Sequence, residues 1–590
     1  MVALSTTVLQ QGAVVCLLVV SVLVLWRFEG DRIGLVLRRR FVMGVPWGSL
    51  VVITGVLGFY LLFQHGYRHW YSPVVIPYQA WSYLYPPGML SSSFAHASAS
   101  HLTSNLTSAL VLLPLAEYAF GHFPERRGTQ SFSSLRKNPW VRAFAVFPAG
   151  IFLVGVVLSL FAWGPVIGFS GIVFAAAGFA LVRYPLATVV VLVARRGVSL
   201  LYSTLQTPVL EQEARTIFWR PGWAEVAAQG HALGLFVGAL LGILVFYRRG
   251  LVKVPGVDPR YTPRPSILRL WLGALLVGLT LDLWIVWWYR GGDAYVLFRA
   301  VGIVVVFGVA FLVTAAVAAS DRPLREAVPS RLRAAASWTP TRMLANGSTG
   351  LTRRQTATLV FVLPLVVMAM VAVPLNLATA DGSGPPGDGE PVEVRDYQVV
   401  YAEDVPDGMI GVVDVELFGE TTQLTTSGVI VVNEDRHVWS REVSPARLAQ
   451  NGRAAVVLGG PTWREVVFAD RRGWSAAGGP TAYHVWLRPE GEAPRHVFAS
   501  EPAEADPVVA GRNVSVVANE PRADFDDDHD WFVLEVSQDG ETLGTTGIPG
   551  ENETATAGGL TFERENNRVI ATTDEPNATR VTIASRETYD

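Results

Sequence analysis

Apolar residues fall into two regimes along this chain. Up to about position 380 they form long runs separated by short arginine-bearing stretches; beyond it the runs are short and partly alternating. A helix needs about 20 apolar residues to cross a bilayer core. Runs of that order predict helices over residues 12–26, 47–63, 94–120, 140–161, 168–182, 184–201, 231–247, 270–288, 296–317 and 359–377, which is about ten crossings. The run 184–201 contains Arg195 and Arg196 and is the least regular of them. A Gly/Pro/Asp linker follows at 381–389. Beyond it, residues 392–400, 411–417, 428–432 and 531–536 carry β-branched residues between turn residues and are expected to be strands. About 200 residues suffice to bury a core, so a compact β-rich domain is expected there.

Charge orients this pattern. Arginine clusters at 27–40, 126–137, 248–260 and 322–354. Short loops of that kind stay on the cytoplasmic side. The Met1 end lacks the basic flank of a signal peptide, so the first apolar run reads as a retained helix with its N-terminus outside. On this topology the aromatic stretch 67–87, the stretch 207–230 and the domain from Asp381 to Asp590 all lie outside. The aromatic stretch suits an interfacial anchor or a lid. The protein is expected in the cell membrane as a multi-pass chain, with lipid as a partner and the 322–354 arginines near anionic headgroups.

Composition agrees with a divided chain. Half of the 590 residues are hydrophobic and mean hydropathy is +0.33, which excludes one ordinary soluble domain. The formal charge of −3 conceals a contrast. From Asp381 onward there are 38 acidic and 16 basic residues, net −22, against 12 acidic and 31 basic before it, net +19. Lys137 and Lys253 are the only lysines; acid excess with scarce lysine suits a high-salt organism. Cys16 stands alone, which excludes an intramolecular disulfide and a thiolate metal cluster. No nucleic-acid module accompanies the arginines.

The candidate chemistry begins at Gly168-Phe169-Ser170-Gly171, which opens a run of small and apolar residues. A hydroxyl entering such a segment needs a partner. His231 opens a second apolar run marked by Gly234 and Gly238. Serine beside neutral histidine is a nucleophile beside a general base. Taken alone, the G-x-S-G pattern equally describes helix packing through small residues. His101 and Asn105 lie four residues apart, on one helical face, and both can donate hydrogen bonds toward one point. On the topology above, Ser170, His231, His101 and Asn105 share one membrane face. Neither the Ser170 nor the His231 run holds an acidic residue, and Glu211, Glu213 and Glu225 belong to the 207–230 loop. The expected chemistry is therefore a serine–histidine dyad, with the Ser170 amide, Asn105 and His101 facing the developing oxyanion.

The segments His101-Leu102-Thr103-Ser104-Asn105, Gly168-Phe169-Ser170-Gly171 and His231-Ala232-Leu233-Gly234-Leu235-Phe236-Val237-Gly238 together resemble the rhomboid intramembrane serine proteases. Phe94-Ala95-His96 and the Glu117…Gly121 pair add to the likeness, which covers roughly residues 47–247. The resemblance implies a six-helix core that cleaves transmembrane protein substrates near the outer membrane face. It implies Ser170 as nucleophile, His231 as base, and His101 and Asn105 at the oxyanion, with no cofactor or metal. Two departures stand out. The family commonly has a tyrosine four residues beyond the serine, where this chain has Phe174. The family's tryptophan–arginine motif is also absent: Arg68 is adjacent to neither Trp70 nor Trp81.

The expected fold class is thus a polytopic α-helical membrane protein with a six-helix rhomboid-like core, extra transmembrane helices and a C-terminal extracellular β-rich domain. The expected domains are 1–45, an added helix and basic loop; 46–248, the protease-like core; 249–380, loops and three further helices; and 381–590, the acidic β-rich domain, which could recruit proteins. Competing readings are a catalytically silent rhomboid-like protein that binds or sorts clients, and a transporter, for whose polar path the sequence shows only the isolated Asp282. Asp524, Asp526, Asp527, Asp528 and Asp530 read as a solvated acidic turn rather than a calcium loop. Asn513, Asn552 and Asn577 begin glycosylation sequons in the outside domain; Asn346 does so inside, and Asn105 does so within the membrane.

Overall fold

The computed structural model describes residues 6–123, 129–207, 228–248, 267–289, 295–318, 352–378, 384–387, 389–408, 425–519, 531–573 and 580–589. The acidic run at 524–530, the sequons at Asn346 and Asn577, the expected strand at 411–417, Glu211, Glu213 and Glu225, and most of the 248–260 and 322–354 loops lie outside the described residues. Chain contacts divide the protein into two units, the larger running to Ala380 and the second beginning at Asp381.

The first unit is helical. Its elements are α1 (Thr6–Arg38), α2 (Trp47–Leu62), α3 (Pro86–Ser91), α4 (Ala99–Phe120) and α5 (Pro139–Leu160). Then come α6 (Ser170–Arg183), α7 (Pro185–Gln206), α8 (Ala228–Arg248), α9 (Ile267–Thr280), α10 (Arg299–Ala318) and α11 (Arg353–Ala378). Among the described residues, six of these, α1, α5, α7, α8, α10 and α11, are long and apolar enough to cross a membrane, and α2, α6 and α9 are shorter apolar helices. Large apolar side chains such as Leu17, Leu62, Leu153, Val190, Val304 and Met370 point outward along them and are more than half exposed. Water would penalise that surface, whereas hydrocarbon accommodates it. The chain is a polytopic membrane protein.

Three expectations need correction. The first helix does not end at Trp26 but runs on to Arg38, through what reads as a basic loop. Arginine is a good helix former, so charge ends the apolar stretch without ending the helix. The expected span 270–288 stops at Thr280. Asp282 sits in the turn that follows, at φ 57°, and Trp287–Tyr289 is a strand (β1) paired antiparallel with Tyr295–Leu297 (β2). The last helix starts at Arg353 rather than at 359. The aromatic stretch 67–87 is folded, in keeping with an anchored segment: Trp81 is buried and its indole N–H donates to the Ile76 carbonyl at 2.6 Å.

A carboxylate inside this unit is fully paired. Glu117 is completely buried near the end of α4. It accepts from the Gly48 and Ser49 amides at 2.8 and 2.7 Å and from the Ser49 hydroxyl at 2.6 Å. Those amides are in the first turn of α2, where N–H groups lack helical acceptors and the helix dipole favours negative charge. Val42 N–H donates to His122 Nδ1, so His122 Nε2 carries a proton and donates it to Glu117 at 2.6 Å. Gly121, at φ 67°, turns the chain out of α4 between the two.

The second unit is a set of antiparallel sheets. The sheet of β3 (Val392–Val394), β4 (Tyr397–Pro406), β5 (Thr425–Asn433) and β6 (Val438–Val443) has its own small core of Val400, Ile430, Val432 and Trp439. The strand expected at 392–400 is therefore two strands, broken at Arg395, which has φ 58°. After helix α12 (Pro445–Asn451), an eight-stranded sheet and a second four-stranded sheet share a core that includes Trp474, Trp486, Leu534 and Phe562. The strand expected at 531–536 belongs to this second small sheet as Phe532–Gln538.

Candidate active site

The site is assembled by two helices whose backbones touch. On α6 and α8 the facing positions are small: Gly171, Ala175 and Gly178 against Gly234 and Gly238. A Cβ on Gly234 would lie 2.2 Å from the Gly171 carbonyl oxygen, and one on Gly238 would lie 1.9 Å from that of Ala175. A Cβ on Gly178 would lie 2.3 Å from the Leu235 carbonyl oxygen. No side chain larger than hydrogen fits there. This close approach brings Ser170, the first residue of α6, to His231, in the first turn of α8, across 61 residues of sequence. His231 Nε2 and Ser170 Oγ are 2.9 Å apart.

The serine hydroxyl donates in this pair when Nε2 is the acceptor, which puts the imidazole proton on Nδ1. Nδ1 of His231 is buried with no hydrogen-bond partner among the described residues. Among the described residues no carboxylate holds the ring. It is held instead by Phe174, one turn beyond Ser170, which stacks on it at 4.1 Å between centroids and 13° between planes. A stacked benzene ring fixes the imidazole plane, and its face would favour a positively charged imidazole.

Two more expected residues reach the same place. The Ser98 hydroxyl accepts from the His101 amide and caps the start of α4, which sets the helical register of His101 and Asn105. Gly168 has φ 123°, a conformation that favours glycine. A Cβ there would lie 2.7 Å from His101 Nε2 and 3.6 Å from Asn105 Nδ2. His101 and Asn105 thus face the turn that presents Ser170. Asn105 is 6 % exposed, and its Nδ2 donor is buried without a partner among the described residues. An unpaired amide donor costs free energy unless something accepts from it. The Ser170 amide, at the first position of α6, likewise has no acceptor within its own helix.

A cavity of about 40 Å³ opens here, lined by Ser92, Ser93, Ile167, Gly168, Ser170 and His231 among others, with room for a few water molecules. The sequence reading brought together Ser170, His231, His101 and Asn105 and missed the opposite wall. There, Ser92 and Ser159 share a hydrogen bond at 2.7 Å, and Ser93 donates to the Gly155 carbonyl at 2.8 Å. The run Ser91-Ser92-Ser93 was the available signal, but three consecutive serines at a helix end carry no helical or strand period. Gln229 was also missed. It accepts from the Trp163 amide at 3.3 Å and donates to the Phe161 carbonyl at 2.9 Å, pinning the start of α8 beside His231.

No protein-family model, no curated protein and no solved structure matches this chain.

Proposed function

We propose that the chain is an intramembrane serine endopeptidase of the rhomboid type, cleaving transmembrane protein substrates with Ser170 as nucleophile and His231 as base. The observation that carries the reading is the 2.9 Å approach of His231 Nε2 to Ser170 Oγ beside a cavity that admits water. Ser170 Oγ attacks the scissile carbonyl carbon and its proton passes to His231 Nε2. The carbonyl oxygen becomes an oxyanion, facing the donors of Asn105, His101 and the Ser170 amide. Collapse breaks the C–N bond, and His231 returns its proton to the departing amine. Water then attacks the acyl-serine, giving its proton to His231, and the carboxylate product leaves as Ser170 recovers its hydrogen. The test is cleavage of a single-span reporter by the purified chain in vesicles. Cleavage that stops when a fluorophosphonate labels Ser170 is the expected result; a chain that neither labels nor cleaves would sink the reading.

Asn105→Ala is expected to lower kcat by about 10²-fold, the effect of roughly 3 kcal/mol lost from one oxyanion donor, with KM little changed. Single-turnover cleavage measures this, and an unchanged rate removes Asn105 from the role.

The proposed orientation puts the Ser170 end of the bundle and the β-rich unit outside the cell. A cysteine replacing exposed Glu492, in a Cys16→Ser background, should react with an impermeant thiol reagent on intact cells. A cysteine replacing exposed Arg136 should react only after the membrane is opened. The reverse pattern would invert the topology.

A further inference from the structure

We infer that Arg195 and Arg196 form an intramembrane recognition site for a carboxylate carried on the client helix. This rests on the proposed function and narrows the substrate class to transmembrane segments with an acidic residue. Arg195 sits in the middle of α7, ten residues from Pro185 and eleven from Gln206. Its Nη1 donates to the Ser108 hydroxyl of α4 at 3.0 Å, and Ser108 in turn donates to the Ser104 carbonyl at 2.8 Å. That partner is neutral. The Nε of Arg195 is buried with no partner, and Arg196 is exposed beside it. Neither guanidinium has a carboxylate within 4 Å among the described residues. The acid whose charge reaches both is Asp282, exposed in the turn after α9. Among the described residues, two cations facing one distant acid leave an excess positive charge in an apolar span.

A tie between α4 and α7 does not require this charge, since a serine or asparagine could bond Ser108 without it. Charged groups at such depth are costly, and they mark sites where another charge arrives. The position suits a client. α6 and α7 meet at the corner formed by Arg183, Tyr184 and Pro185, where Tyr184 touches Tyr118 of α4 at 5.7 Å between ring centroids. Ser170 is thirteen residues from Arg183 along α6, and Arg195 is ten from Pro185 along α7. At about 1.5 Å per residue Ser170 stands roughly 20 Å and Arg195 roughly 15 Å from that corner, about one helical turn apart in height. A helix whose peptide bond reaches Ser170 therefore carries its next turn at the level of the arginines. The surface beside them, with Val190, Val193 and Leu110, is exposed and apolar. A lipid phosphate would have to descend about 15 Å into the core to reach Arg195. A side-chain carboxylate can be built into a helix at that depth.

The test separates binding from cleavage. The full-length Ser170→Ala chain is reconstituted in phosphatidylcholine vesicles with a synthetic single-span helix. The helix carries a benzophenone residue and either Asp or Asn one turn inward of a Gly-Ala pair. The Asp helix is expected to be photo-captured about tenfold more than the Asn helix. Arg196→Glu breaks no hydrogen bond in the structure and should abolish that preference. Arg195→Glu with Arg196→Glu should reverse it in favour of a Lys helix, an inversion that a purely structural role would not produce. Equal capture of Asp and Asn helices, or a preference that survives both variants, overturns the proposal. So does equal capture accompanied by phosphatidylglycerol that co-purifies with the wild type and is lost in the double variant, which would make the site a lipid site. Asp-selective capture without cleavage by the wild type would keep this inference and remove the protease reading. Ser170-dependent cleavage indifferent to Asp or Asn would do the opposite.

Discussion

Ser170→Ala is expected to abolish both fluorophosphonate labelling and reporter cleavage, and His231→Ala is expected to do the same. On the proposed mechanism the serine needs a proton acceptor, and His231 Nε2 at 2.9 Å is the partner the structure gives it. Among the described residues no carboxylate backs the imidazole, so on this mechanism the pair acts as one unit. Removing either member of such a unit costs as much as removing both, on the order of 10⁶-fold in kcat where it has been measured in serine proteases. The double variant should therefore be no slower than either single one. Ser170 and His231 are both half-buried rather than core residues, so each variant should reach the membrane at wild-type abundance. Residual Ser170→Ala cleavage above that of an empty vesicle would remove Ser170 as nucleophile. Additive losses would show that the two do not work together.

Gly238→Val should be nearly as damaging, although Gly238 lies two turns from the chemistry. Its Cβ would meet the Ala175 carbonyl oxygen at 1.9 Å, the carbonyl carbon at 2.6 Å and Cα at 2.7 Å. These are backbone atoms in mid-helix, so no rotamer change relieves the clash. α8 must move away from α6, and Ser170 and His231 sit one on each. A displacement of about 1 Å in a reacting pair can cost on the order of 10²-fold in rate, and overpacking also destabilises by about 1–3 kcal/mol. The expected result is a loss of labelling rate of at least that order together with a lower unfolding temperature. Ala175→Gly should not rescue it, because the obstruction is main chain. Gly150→Ala is the control, since nothing lies within 4 Å of a Cβ there. Wild-type labelling by Gly238→Val would mean that the two helices do not determine the geometry of the pair.

The sequence by itself determined the two regimes of the chain, because burial in lipid and burial in a half-solvated sheet impose different periods on apolar residues. The helices around 47–62, 99–120, 170–183 and 228–248 were legible for that reason, as was the run through Arg195 and Arg196, which is one continuous helix in the structure. Hydropathy misplaced boundaries where it carries no conformational information. The run Leu270 to Trp288 is apolar apart from Thr280 and Asp282, but its last residues are aromatic and β-branched, and they form a hairpin after Thr280. The arginines at 27–38 ended an apolar stretch and were read as ending a helix, which they do not.

The four candidate site residues were legible as residue types beside small residues. The predicted topology put them at one membrane face, but the contact distance was not legible, because a separation between side chains 61 positions apart is decided by packing. Only the tertiary structure supplied the glycine contacts that bring α6 against α8, the near-parallel geometry of the Phe174 ring on His231, and the unpaired Asn105 donor beside Gly168. It alone decided that Arg195 bonds a neutral serine while Asp282 remains outside ion-pairing distance. The physical reason is common to all of these. Local sequence sets backbone conformation and which face is apolar, whereas the partner of a buried polar group is chosen by whichever distant backbone can approach closely enough to meet it.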